Sequence, residues 1–199
     1  VPIIDNNEEK TYLVETAFLL KNGKVTEAEN TELNVYFPTE KRTDLSFLIQ
    51  GPFITTKARD NIKPDDKDNR KLIDEVAKLA ADSIETLKDN NYLIVESFLA
   101  LPLIKPEDEF FHPVYERILE KFKKEALLPT SKGTYEKART IRIAETEGLR
   151  NLLDTAQLSL LLNESEIVHW FHGSITEKRM QVLWDYVRYE LKVEEITGD

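Results

Sequence analysis

The sequence contains no cysteine, which excludes disulfides and thiolate metal sites outright. Nothing in it draws on an oxidising compartment, so the expected setting is cytoplasmic. Glycine is scarce, with six residues in 199, and that scarcity removes several motifs. A phosphate-cradling P-loop needs a glycine five residues before a Gly-Lys pair. The only such pair is Gly23-Lys24, and position 18 holds Phe18. No two glycines stand two apart, so the dinucleotide fingerprint and the Asp-x-Gly-x-Gly signature of another ATPase class are absent. There is no Gly-x-Ser-x-Gly nucleophile elbow either.

Long apolar runs are also missing. None approaches the roughly 18 residues of a membrane span, so no membrane partner is expected. The start, Val1-Pro2-Ile3-Ile4-Asp5, lacks the basic and apolar regions of a secretion signal. Methionine occurs once, at Met180. Val1 therefore reads as an excision or processing point, and the stop at Gly198-Asp199, just past a patterned helix, reads as a second cut. Against 27 Lys and Arg stand 37 Asp and Glu, a net charge of −10. That balance argues against sequence-independent binding to nucleic acid, which needs clustered cations to displace counterions.

What is present is a patterned globular chain, 41% apolar and 32% charged, long enough for one large domain or two small ones. Its first third reads as strands. Tyr12 to Leu20 is rich in β-formers and stops at Lys21-Asn22-Gly23-Lys24, a hairpin turn by its Asn-Gly pair. Leu33 to Phe37 alternates and ends at Pro38, and Leu45 to Gly51 forms a third strand. Leu72, Ile73, Val76, Leu79, Ala80, Ile84 and Leu87 then recur at helical spacing. Asp65, Asp66 and Asp68 crowd the start of that helix, where free amides favour negative charge. Leu93 to Leu101 is a short helix or a buried segment; the pattern does not separate the two.

Beyond Pro106-Glu107-Asp108-Glu109, a solvated connection, Val114, Ile118, Leu119 and Phe122 stripe a second helix with Pro113 in its first turn. Leu127 to Tyr135 reads as a strand and turn. Leu149, Leu152, Leu153, Ala156, Leu160 and Leu161 stripe another helix. Ser174-Ile175-Thr176-Glu177 reads as a capping box opening the last one. The expected fold class is α+β. A small, mostly antiparallel sheet backed by a long helix occupies residues 1–105, and a mainly helical subdomain with a short β element occupies 106–199.

Two groups of side chains invite a metal reading. His169 and His172, three apart, would share a helical face, but no third ligand is apparent and zinc sites ordinarily need three. Asp65, Asp66 and Asp68 lack the glycine and distant glutamate of an EF-hand loop. Packing and helix-start roles fit these better, so no metal is assigned.

The segment Gly51-Pro52-Phe53-Ile54-Thr55-Thr56-Lys57-Ala58-Arg59-Asp60-Asn61-Ile62 carries more. It places Lys57 and Arg59 in a loop between the third strand and the long helix. The residues alone favour pairing of Arg59 with Asp60, Asp65 or a sheet-edge carbonyl. The alternative is that the arginine projects and stabilises phosphate charge in a neighbouring site.

That segment, with Tyr36-Phe37-Pro38-Thr39, Leu45 to Phe53, Leu128 to Tyr135 and Leu183 to Val187, resembles part of large sacsin-like proteins. Those carry an ATP-binding module of the gyrase, heat-shock-chaperone, histidine-kinase and MutL superfamily. The stretch following that module is similar to the middle domain of the ninety-kilodalton heat-shock chaperone. There, an arginine in a Ser-Arg-Glu context reaches the terminal phosphate of ATP held by the preceding domain. The matching stretch here is Ala58-Arg59-Asp60, so the resemblance implies that Arg59 plays this part, acting on ATP and Mg bound elsewhere in the parent chain. Lys57 and Lys63 would assist. The chaperone has glutamine four residues after its arginine, where this chain has Lys63.

Three functions are thus open. The chain is the coupling segment of a chaperone-like ATPase, partnered by an N-terminal ATP-binding module and by a client protein. Alternatively it is a protein–protein interaction module with no nucleotide role. An independent hydrolase is the weakest, because no ligand or nucleophile set is visible.

Overall fold

The structure, a computed structural model, describes residues 1–5 and 8–198; Asp199 of the terminal Gly198-Asp199 pair lies outside them. The fold is α+β, and the chain divides into two compact units, residues 1–118 and 119–199.

In the first unit, β1 (Pro2–Asp5) and β2 (Glu8–Thr11) pair antiparallel. The run expected as one strand from Tyr12 to Leu20 is two, β3 (Glu15–Ala17) and β4 (Leu19–Lys21). They separate at Phe18, whose ring leaves the ladder to pack on Phe47 at 5.0 Å. β4 and β5 (Lys24–Thr26) form the expected hairpin. Asn22 and Gly23 turn it at φ 53° and 75°, the two successive left-handed residues that a two-residue hairpin requires.

β6 (Glu32–Val35) ends earlier than its alternation predicts. Tyr36, at φ 61°, folds the chain back, so Phe37 opens β7 (Phe37–Arg42) instead of closing β6. Pro38 lies within β7, an edge strand, which tolerates a missing amide. With β8 (Leu48–Gln50) the order is β3-β8-β6-β7, antiparallel except for β6 against β8.

Helix α1 (Lys67–Asp89) packs against β3, with Thr16 Oγ1 and Ser83 Oγ 3.4 Å apart. Asp66 caps it, accepting from the amides of Asp68 and Asn69. Its buried face carries Leu72, Ile73, Val76, Ala80 and Ile84, each large member worth about 1.5–3 kcal/mol of transfer free energy. Leu33, Phe47 and Ile49 of the sheet region are fully buried too. Both options for Leu93 to Leu101 hold: a 3-10 helix spans Val95–Ala100, and Leu93, Phe98, Ala100 and Leu101 are buried. The division between units falls inside α2 (His112–Lys124), which has Pro113 in its first turn.

In the second unit, β9 (Leu128–Pro129) and β10 (Tyr135–Glu136) form the expected strand and turn. A parallel sheet that no alternation signalled follows: β11 (Ile141–Ala144) lies between β12 (His169–Trp170) and β13 (Glu194–Ile196). The helix expected from Leu149 to Leu161 is broken into α3 (Glu147–Leu152) and α4 (Thr155–Leu161). Asp154 breaks it by forming a capping box with Gln157. Trp170 packs with Ala144, Leu158 and Val168, and its ring N–H donates to Leu153 O at 2.8 Å.

The capping box expected at Ser174 to Glu177 does not form. The Ser174 hydroxyl instead lies 2.8 Å from His172 Nδ1, and α5 (Gln181–Asp185) begins seven residues later, running into a π-helical turn at Tyr186–Glu190. Among the described residues, no helix is long and apolar enough to cross a membrane.

Candidate functional site

The loop carrying Lys57 and Arg59 is a closed structure on the first unit. Its two legs meet at an antiparallel bridge between Thr55 and Ile62. Below the bridge the Lys63 amide donates to Ile54 O at 3.1 Å; above it the Thr56 amide donates to Asn61 O at 2.8 Å. Phe53 and Ile62 anchor the legs by burial, and Phe53 meets Phe110 edge-on at 6.0 Å. Gly51 admits the close approach of the Phe53 ring, because a Cβ there would lie 2.9 Å from Phe53 Cε2.

The residue that binds this loop to α1 is Asn69, which is fully buried. Its side-chain oxygen accepts from the Ile54 amide at 2.7 Å, and its NH2 donates to Ile54 O and Lys63 O, both at 2.9 Å. One side chain therefore satisfies both legs. Sequence reasoning missed it. The available signal was a polar residue on the apolar stripe, three and four positions before Leu72 and Ile73.

Arg59 sits at the turn of the loop with φ 62°, a conformation that costs a side-chain-bearing residue about 1–2 kcal/mol. Its amide donates to Thr56 O at 3.2 Å. The favoured pairing with Asp60 or Asp65 is not found. The Asp60 carboxylate is held by the Thr56 hydroxyl, and Asp65 pairs with Arg70 at 3.0 Å. Among the described residues the Arg59 guanidinium makes no hydrogen bond or ion pair, and it is exposed. Lys57 and Lys63 are exposed and unpaired as well. Lys57 shares the turn with Arg59, whereas Lys63 lies beyond the bridge with its carbonyl committed to Asn69.

Beside the loop runs a groove of about 440 Å³ lined by Glu40, Lys41, Arg42, Asp44, Asp60, Asn61, Glu107 and Asp108. Lys41 and Asp108 form an ion pair across it. Burial pushes the Asp108 carboxyl up, but the Lys41 hydrogen bond, the Phe110 amide and the charges of Lys41 and His112 outweigh it. The group is held below its ordinary value.

The histidines do not share a helical face. His169 is in β12, 3.7 Å from Glu136 through Nε2, and His172 turns to Ser174. Among the described residues, no three His, Asp or Glu side chains are grouped to hold a metal ion.

Comparison with family models, with curated proteins and with solved structures returns no match to this chain.

Proposed function

We propose that this chain is the middle, coupling segment of a larger cytoplasmic chaperone-like ATPase, and that its Arg59 loop senses the terminal phosphate of ATP held by a preceding module. The observation that carries this reading is the unpaired, exposed guanidinium of Arg59 on a loop fixed at both legs by buried Asn69. An unneutralised arginine presented by a fixed loop is what a phosphate in a neighbouring site requires. It would stabilise charge developing on the γ-phosphoryl group. Lys57 and Lys63 add positive charge at the same end of the unit. The ATP and Mg would sit in the other module, and ATP binding and docking of this segment would favour each other reciprocally.

The test is ATP turnover in the parent protein carrying Arg59→Ala, with nucleotide affinity measured alongside. We expect a fall on the order of a hundredfold or more in turnover, as when other phosphate-directed arginines are removed, with nucleotide still bound. Unchanged turnover rejects the role.

A second reading, a protein–protein interaction module, draws on a different feature. In the second unit Leu152, Leu160, Leu161 and Ile167 are 71%, 82%, 63% and 64% exposed, apolar side chains that a protein partner could cover. On that reading a protein partner binds without nucleotide and is indifferent to Arg59→Ala.

A further inference from the structure

The second unit holds a cleft of about 680 Å³ between β11, α3 and the segment from Phe171 to Arg179. Arg150 of α3 reaches into it. Its guanidinium lies against Gly173 with Nη1 nearest, so closely that a Cβ there would stand 2.2 Å from Nη1 and 2.8 Å from Cζ. Only glycine leaves room for it. Yet Arg150 Nε is buried with no hydrogen-bond partner, and among the described residues no acceptor or carboxylate meets the rest of the group. An orphaned buried donor is rare enough in folded proteins to need a cause, and a guanidinium fork is matched by an oxyanion.

The rest of the lining is mixed in charge. Lys178 and Arg179 also line the cleft without ion-pair partners. Of its four carboxylates, Glu195 is paired with Arg188, and Glu145 accepts from the Gly198 amide while keeping its charge. Among the described residues Glu145, Glu147 and Glu177 have no ion-pair partner, so three such carboxylates stand beside the three cations. Trp184 supplies an aromatic wall. The volume suits a small organic ligand better than a bare ion.

We propose that this cleft binds the phosphate group of a small organic phosphate, with the Arg150 guanidinium as its principal ligand and Trp184 flanking the organic portion. A phosphate fills the bidentate fork and still has an oxygen left for a second cation, which a carboxylate does not. The site is in the second unit and stands independently of the Arg59 reading.

The test uses the full chain labelled with 15N, following the Arg150 Nε–Hε resonance, assigned by its loss in Arg150→Lys. Inorganic phosphate and phenyl phosphate are the probes. The expected result is a saturable shift with both, phenyl phosphate binding several-fold more tightly. Arg150→Lys, read on neighbouring backbone amides, should weaken binding about tenfold, because an ammonium cannot reproduce the fork. Gly173→Ala keeps every charge but displaces the guanidinium, and should weaken it comparably. Absence of a saturable shift in the unaltered chain overturns the site. Affinity unchanged in both variants, with their thermal melts intact, removes Arg150 from it. Equal affinity for the two probes overturns the role of Trp184.

Discussion

Asn69 grips Ile54 by both backbone groups, accepting from its amide at 2.7 Å and donating to its carbonyl at 2.9 Å, while the same NH2 reaches Lys63 O at 2.9 Å. Replacing it with leucine leaves the Ile54 amide without a partner. It also takes one of two donors from each of the Ile54 and Lys63 carbonyls, which keep the Lys63 and Asp66 amides. An unsatisfied amide costs about 1–3 kcal/mol, so Asn69→Leu should destabilise the first unit by about 1–3 kcal/mol. Asn69→Asp should be comparably harmful, because a carboxylate would face two carbonyl oxygens. Thermal unfolding reads the loss. Amide exchange at Thr56 and Lys63, whose N–H groups close the loop, should rise in either variant.

Arg59 offers a separation of stability from function. Its positive φ is strained for arginine and free for glycine. Arg59→Gly should therefore leave stability unchanged or raise it by about 1 kcal/mol or less, part of the relief being lost to the unfolded chain's extra freedom. If the loop serves a phosphate, the same variant abolishes the turnover contribution. A stabilised protein with impaired turnover would show that the strain is retained for function. A destabilised one would mean that the side chain packs in a way this geometry does not contain.

The Lys41–Asp108 pair gives the first unit an acid-sensitive contact. Because the folded-state carboxyl is held below its ordinary value of 3.8, folding is favoured by its ionised form. That contribution is fully present above the unfolded value and is lost as pH falls through the lower, folded one. Unfolding midpoints measured from pH 5 down to pH 2 should thus decline less steeply in Asp108→Asn than in the unaltered chain. Identical slopes would show that the pair contributes nothing to the pH dependence.

The sequence was most legible where one local device determines the structure. The Asn22-Gly23 hairpin, the stripe of α1 and the start of that helix at Asp66 were all readable, since turn chemistry, periodicity and capping act over a few residues. It was least legible in the second unit. There β11, β12 and β13 are two to four residues long and pair in parallel across long stretches of chain, too short for any period to register. At the candidate site, Lys57 and Arg59 could be named because their loop lies between two recognisable elements, and Lys63 only through the resemblance that matches it to a glutamine. That Arg59 is unpaired could not be, because Asp60 and Asp65 were equally available in sequence. Their commitment to Thr56 and Arg70 exists only in three dimensions.

Competition between side chains for the backbone also explains how the second unit's helices are divided. The leucine stripe continues from Leu149 to Leu161, and apolar periodicity alone would carry one helix through it. Asp154 instead accepts from the Gln157 amide at 2.8 Å while Gln157 Oε1 accepts from the Asp154 amide at 2.9 Å. This box starts α4 afresh and frees Leu153 O to receive the Trp170 ring N–H. Asp154→Ala removes the cap and should cost about 1 kcal/mol, seen as a lower unfolding midpoint. It should also loosen Trp170, whose acceptor is set by the break. A blue-shifted, unchanged tryptophan emission in Asp154→Ala, together with an unchanged midpoint, would mean that packing of Leu158 and Val168 around Trp170 holds the break without the box.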